Sequence, residues 1–335
     1  MRPRLWIPVI LAGAATAIIL SRNSESEASW VIRRACDDGF QHCFSATART
    51  SVSSCGNTVA STMEIVHGVA DRCRMEYTSG PLKGTVMSSD GNEMRTYDPT
   101  SHTITVTPSV RCSRLGDRLD LLLANHRVTS TGIKTIAGRP AHLIVVRGNR
   151  SRTILKRLWI DAETYAVLGQ EDRDCRGRVR SSTHFVSIRF EEAIPDNVFE
   201  LPKDSRMISR DAGDGTEMTP GQLSRELGFK VRMPGYVPKG FELESCRLHS
   251  CSCEFPHRCA CIRYTNGVTS ISLFQSKSTS ARPCSASCED ARKGSCVLRK
   301  SDQGNAATVT RDGISHVVLG DLPGPVITKV ADSLR

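Results

Sequence analysis

Apolar and polar positions alternate over much of this chain between about residues 44 and 202, which predicts strands. Thr103-Ile104-Thr105-Val106-Thr107 alternates strictly, and Ser182 to Phe190 sets Val186, Ile188 and Phe190 on one face. His142 to Val146 is a continuous apolar run of the kind a buried strand carries, and Thr153 to Ile160 reads as another strand. Turn-forming residues separate these stretches at Ser79-Gly80-Pro81, Ser89-Asp90-Gly91-Asn92 and Ala137-Gly138-Arg139-Pro140, the spacing of an antiparallel meander. Helical spacing interrupts it twice. Val31, Ala35, Phe40 and Phe44 predict a helix from Trp30 to about Phe44. Leu115, Leu119, Leu122 and Leu123 predict a short helix within residues 114–126.

Residues 203–221 are polar, contain Gly, Asp and Pro, and show no period, so they read as a linker. A second domain follows over residues 222–335. It starts with a helical turn at Gln222 to Leu227 and continues with strands at Phe241–Arg247, Cys261–Tyr264, Ser270–Gln275, Ala307–Arg311 and His316–Leu319. A final helix carries Val326, Ile327, Val330 and Leu334 on one side. The expected fold class is α+β: a curved antiparallel sheet, a half-barrel wrapping helices over residues 30–202, then a smaller α+β domain.

Residues 1–28 differ from everything after them. Leu5 to Leu20 carries no charge, Arg2 and Arg4 precede it and Arg22 closes it, as in an export segment. The run is somewhat shorter than a comfortable bilayer span. Ser26-Glu27-Ala28 is the best cleavage pattern but lies far from the apolar run, so cleaved signal and retained anchor both remain open. Either places the body of the chain outside the cytoplasm.

That placement governs the 14 cysteines, all of which lie beyond the leader. The first domain holds Cys36, Cys43, Cys55, Cys73, Cys112 and Cys175. The second holds Cys246, Cys251, Cys253, Cys259, Cys261, Cys284, Cys288 and Cys296. Even counts in an oxidising compartment predict disulfides within each domain. Cys36 and Cys43 share a face if the first helix continues that far. A zinc site at Cys251-x-Cys253 and Cys259-x-Cys261, with His257 or His249, is the competing reading. C-x-C departs from the usual structural-zinc spacing, so neither metal nor cofactor is expected.

The net charge of +10 is spread along the chain, and only 5% of residues are aromatic. Neither suits nucleic-acid binding, which the leader also contradicts. Asp71, Asp161 and Asp174 with His42, His67 and His184 supply acid–base groups, but no G-x-S-x-G elbow or other catalytic spacing accompanies them, and no enzyme is expected.

In the first domain, Cys43-Phe44-Ser45-Ala46-Thr47, Met94 to Pro99, Lys156-Arg157-Leu158-Trp159-Ile160-Asp161, Tyr165 to Leu168 and Ile194 to Pro202 resemble the lipoprotein-carrier (LolA-like) fold of outer-membrane lipoprotein carriers and MucB/RseB-type periplasmic regulators. In the second, Met233 to Phe241, Tyr264 to Phe274 and Gly313 to Leu334 resemble the C-terminal domain of the MucB/RseB type. The two-domain order favours the regulators. The resemblance implies a non-enzymatic, membrane-associated protein of the periplasm or the outer face of the cytoplasmic membrane, acting in sigma-factor regulation. It implies a membrane-spanning anti-sigma factor as partner, and lipid or an acyl chain in an apolar groove; a lipid or lipoprotein carrier is the alternative. Trp159 and the stripe Leu119, Leu122 and Leu123 are the candidate groove residues, with plain core packing as the other reading for each. The cysteine content departs from this resemblance.

Overall fold

The computed structural model describes residues 27–39, 41–54, 57–108, 118–149, 152–209, 217–250, 258–278, 296–301 and 304–334. Residues 1–26 of the leader, Phe40, Leu115 and the cysteines Cys55, Cys112, Cys251, Cys253, Cys284 and Cys288 lie outside them, whereas Glu27 and Ala28 open the first helix.

The fold is α+β. Two meanders share one twelve-stranded sheet. The first comprises β1 (Cys43–Ser54), β2 (Asn57–His67), β3 (Arg72–Tyr77), β4 (Val86–Asp90), β5 (Glu93–Asp98) and β6 (Thr103–Pro108). The second comprises β7 (His126–Ile136), β8 (Arg139–Gly148), β9 (Ile154–Asp161), β10 (Val167–Arg173) and β11 (Val179–Glu191). The long strands β1 and β11 pair antiparallel at the middle and β12 (Arg206–Ser209) joins one edge, so the order runs β12-β6-β5-β4-β3-β2-β1-β11-β10-β9-β8-β7. The sheet is open and curves around two helices, α1 (residues 27–37) and α2 (Leu119–Asn125). Val31, Ile32 and Ala35 of α1 and Leu119 and Leu122 of α2 are buried against Val128, Ile144, Val146, Leu158 and Ile160. One face of β7 to β9 thus closes a core with the helices.

The first helix is shorter than its apolar spacing predicts. It ends at residue 37, and Phe44 belongs to β1, where it alternates with Ala46 and Ala48. Gly39 makes the break possible: a Cβ there would stand 2.6 Å from the carbonyl oxygens of both Ala35 and Tyr165. Cys36 and Cys43 therefore lie on different elements. The patternless segment 203–221 also holds structure. Arg206–Ser209 is β12, a short edge strand pairing parallel with β6. Its main-chain hydrogen bonds need no apolar period, and Met207 remains exposed.

The second sheet has the order β13-β14-β15-β18-β17-β16, from β13 (Glu242–Ser250), β14 (Arg258–Thr265), β15 (Ser270–Lys277), β16 (Val297–Ser301), β17 (Gly304–Arg311) and β18 (Ile314–Gly320). α3 (Pro220–Leu227) and α4 (Gly324–Asp332) cover one face, burying Leu223, Ile327, Val330 and Ala331 with Leu248, Ile262, Leu273 and Val318. α3 starts on a capping box, Thr219 with Gln222, and ends at Gly228 in the left-handed region.

No disulfide joins any two of the described cysteines. Strand parity accounts for part of this. Cys73 stands opposite His67, which stacks on Phe44, so Cys73 shares the face of Phe44 while Cys43 points to the other. Cys246 belongs to the second core, whereas Cys259 and Cys261 flank the core residue Ala260 and project from the opposite face. Residues on opposite faces of one sheet cannot meet disulfide geometry.

His316 is buried on β18 between Gln275 and Val309, and neither ring nitrogen has a hydrogen-bond partner. Burial, followed by the charges of Arg232 and Arg311, lowers its pKa from 6.5 to about 4, against a smaller opposing pull from Asp312. The unfolded chain therefore binds this proton at a higher pH than the folded one. Stability is complete above about pH 6.5 and falls toward pH 4, by roughly 1–3 kcal/mol. Urea denaturation across this range is expected to show that slope in the wild type and a flatter one in His316→Leu. Equal slopes would place the acid sensitivity elsewhere.

Candidate functional site

The helices fill only one side of the curved sheet. Register carries their face across the other strands: Leu158 pairs with Gln170, Gln170 with Thr183, and Thr183 with Thr50. Past the irregularity at Thr47/Ala48, Ala46 pairs with Ile188, which packs with Phe185 and Phe190 against the cluster around Trp159. From Ala46 a single row then crosses the sheet through Ile65, Met75, Met87, Thr96, Thr105 and Ile208, with Ile188 on its other flank. At the usual strand spacing this row is about 34 Å long. Met63 and Met94 lie diagonally beside it on the same face. Met63 is buried; Met75, Met87 and Met94 are half-buried. The opposite face of β3 and β4 is covered by residues 192–202, where Ser88 donates to the Phe199 carbonyl, Arg74 donates to the Glu200 carbonyl and Arg72 lies over the Phe199 ring.

Of the expected groove residues, the three leucines fall together and Trp159 stands apart from them. Leu119 and Leu122 are buried, and Leu123 is partly buried, in the core beneath α1. Trp159 sits between Leu158 and Ile160, which face that core, and so points to the other side of β9. There it joins Ala141, Ala166 and Leu168 and meets the His184 ring edge-on at 4.6 Å. The contact passes over Gly169, where a Cβ would stand 2.7 Å from His184 Nδ1. The methionine-bearing face escaped sequence reasoning because its members come from separate strands. Only register aligns them.

A second surface lies between the sheets: a cleft of about 560 Å³. Asp172, Arg173, Arg180 and Ser181 line it from the first sheet, and Arg263, Ser272, Leu319 and Asp321 from the second. Arg180 and Asp321 pair across it at 3.5 Å, and Arg173 and Arg263 are held by Glu171 and Glu244. The cleft is thus rich in matched charge. The docking of α2 on the second domain sets its width. Asn125 donates to the carbonyls of Leu121 and Gly240, and Arg118 donates to the carbonyl of Glu244. The turn at Asn266-Gly267 abuts Leu122, and a Cβ on Gly267 would lie 2.5 Å from the Leu122 nitrogen.

The acid–base candidates hold the chain together. Asp161 is buried. Burial pushes its carboxyl up, but the Arg139 guanidinium and the amides of Thr164 and Glu163 outweigh this and hold it below its ordinary value. Asp174 is opposed by burial and held low in the same way by Arg178 and the turn amides. His67 Nδ1 lies 3.0 Å from the His42 carbonyl, and burial lowers its pKa; burial also lowers that of His184. Asp71 occupies a turn with positive φ. Among the described residues no group of three or more His, Cys, Asp or Glu side chains is arranged to hold a metal ion.

An open sheet curved around helices, followed by a smaller sheet domain docked through α2, defines a two-domain α+β architecture. Residues 49–203 match the family model of the MucB/RseB N-terminal domain. The Pseudomonas aeruginosa MucA/MucB complex matches with a TM-score of 0.64 at 17% identity, covering 92% of this chain and 98% of that chain. MucB in complex with MucA(peri) matches at 0.59 and 18% identity, again over 92% and 98%, and MucB determined as such at 0.54 and 18%. At these identities the likeness is one of fold. No curated protein matches by sequence. Residues 49–203 thus carry a match to the MucB/RseB N-terminal domain, and the chain as a whole shares the fold of MucB.

Gly267 has φ +93°, so Gly267→Ala carries backbone strain as well as the clash with Leu122. The variant is expected to keep both sheets, with unchanged far-ultraviolet circular dichroism, but to undock them. Small-angle scattering should show a larger radius of gyration, and proteolysis near residues 203–221 should speed up. A wild-type scattering profile would mean that this contact does not hold the domains.

Proposed function

We propose that the protein is a non-enzymatic extracytoplasmic regulator that binds the outward part of a membrane-spanning anti-sigma factor in the cleft between its sheets. Support comes from the whole-chain likeness to MucB, two of whose matched structures are complexes with MucA. The observation that carries the choice of surface is the cleft itself, to which both domains contribute charged side chains. Paired charges at a rim favour register and selectivity over raw affinity. An export leader fits this location, and disulfides involving the cysteines outside the described residues fit the compartment.

The test is titration calorimetry of the purified chain with the outward segment of a single-span anti-sigma protein from the same organism. Ser272 lines the cleft and is only half-buried. Ser272→Trp is expected to weaken binding about tenfold, roughly 1.4 kcal/mol, without lowering the melting temperature. Wild-type affinity in this variant would exclude the cleft.

A second reading, lipid or lipoprotein carriage, is favoured by one specific observation, the row from Ile65 through Met75 and Met87 to Ile208. Burying an acyl chain along such a face gains about 0.8 kcal/mol per methylene. Native mass spectrometry of protein from its own host is expected to retain an acyl lipid, with Met87→Glu losing it. A ligand-free wild type would sink this reading and leave the first intact.

A further inference from the structure

Four of the chain's eight methionines fall on four successive strands of one face. Met75 and Met87 are direct cross-strand partners. Met63 lies diagonal to Met75, and Met94 diagonal to Met87. Strands normally build such a surface from Val, Ile and aromatic residues, as β8 does with Ile144 and Val146. Methionine gives a pliable apolar surface, and it also brings a sulfur that oxidants attack.

We propose that Met75, Met87 and Met94 form an oxidant-responsive site, which rests on the acyl-binding reading above for its consequence. Hydrogen peroxide is the reactant. Each thioether sulfur attacks one peroxide oxygen, the O–O bond breaks, sulfur gives up two electrons and becomes a sulfoxide, and water leaves. The sulfoxide is polar and a strong hydrogen-bond acceptor. Three of them across β3 to β5 turn the middle of the apolar row into a polar band. Met63 is buried and reacts after the other three. The remaining methionines supply references within the same molecule. Met207 on the edge strand is 61% exposed, while Met218 and Met233 pack against the second core.

The experiment uses the full chain, graded hydrogen peroxide and peptide mapping by mass spectrometry. A fluorescent acyl probe, dansyl-undecanoic acid, is titrated before and after treatment. Met75, Met87 and Met94 are expected to oxidise within about tenfold of the rate of Met207, and Met218 and Met233 at least about tenfold more slowly. Probe affinity is expected to fall about tenfold on oxidation and to recover with methionine sulfoxide reductases. The triple variant Met75→Leu, Met87→Leu, Met94→Leu keeps the surface apolar and is expected to hold the probe equally well before and after peroxide. Oxidation of the three as slow as that of Met218, or equal loss of probe in wild type and triple variant, overturns the site. If untreated protein takes up no probe, the acyl reading alone fails, and the order of oxidation still decides whether the site exists.

Discussion

The contact between α2 and the second domain is the constraint on which the rest of the molecule depends. This helix is short, with seven residues and no side-chain cap at its N-terminus, so little of its stability is its own. It is held from both sides. Leu119 and Leu122 anchor it in the first core, and Gly267 and the Gly240 carbonyl receive its other surface. Asn125 joins the helix to the second domain with one side chain, donating to Leu121 within the helix and to Gly240 beyond it. The cleft inherits its geometry from this docking. The Arg180–Asp321 pair at its rim is too weak an interaction to set domain positions alone.

Strands were legible wherever they alternate or run continuously apolar. β6, β8, β9 and β11 all contain the stretches that the pattern marks. Boundaries failed where tertiary contact overrode local pattern. Phe44 has helical spacing from Phe40, yet it is recruited to β1 because its ring stacks on His67 and meets Phe185 and Phe190. β12 was illegible for a different reason, since an edge strand of four residues is specified by its main-chain partner β6 and not by side-chain period.

The candidate surfaces were less legible than the fold. A leucine stripe at helical spacing announces burial but not what is buried, and Leu119 and Leu122 turned out to fill a core. Trp159 was separated from them by one residue of strand parity. The methionine row, in contrast, uses single residues from separate strands. Only the chain of pairings from Ile65 to Ile208 brings them into line, and that information is absent from any local window.

The two halves of this sheet therefore differ in how they are packed. Over β7 to β9 the aliphatic residues Ile144, Val146, Leu158 and Ile160 are matched by α1 and α2, giving a rigid core. Over β3 to β5 the face that carries the row holds methionine, threonine and serine, a mixture less apolar than the aliphatic face of β7 to β9. The back of this half is closed by residues 192–202 through Ser88, Arg74 and Arg72. Fixing the back of β3 and β4 leaves the front as the adaptable face. A surface of flexible side chains on a braced backbone suits ligands of variable shape, because repacking a thioether costs little and moving the sheet costs much. The same sheet thus meets its second domain through α2 at one end and carries a pliable face at the other.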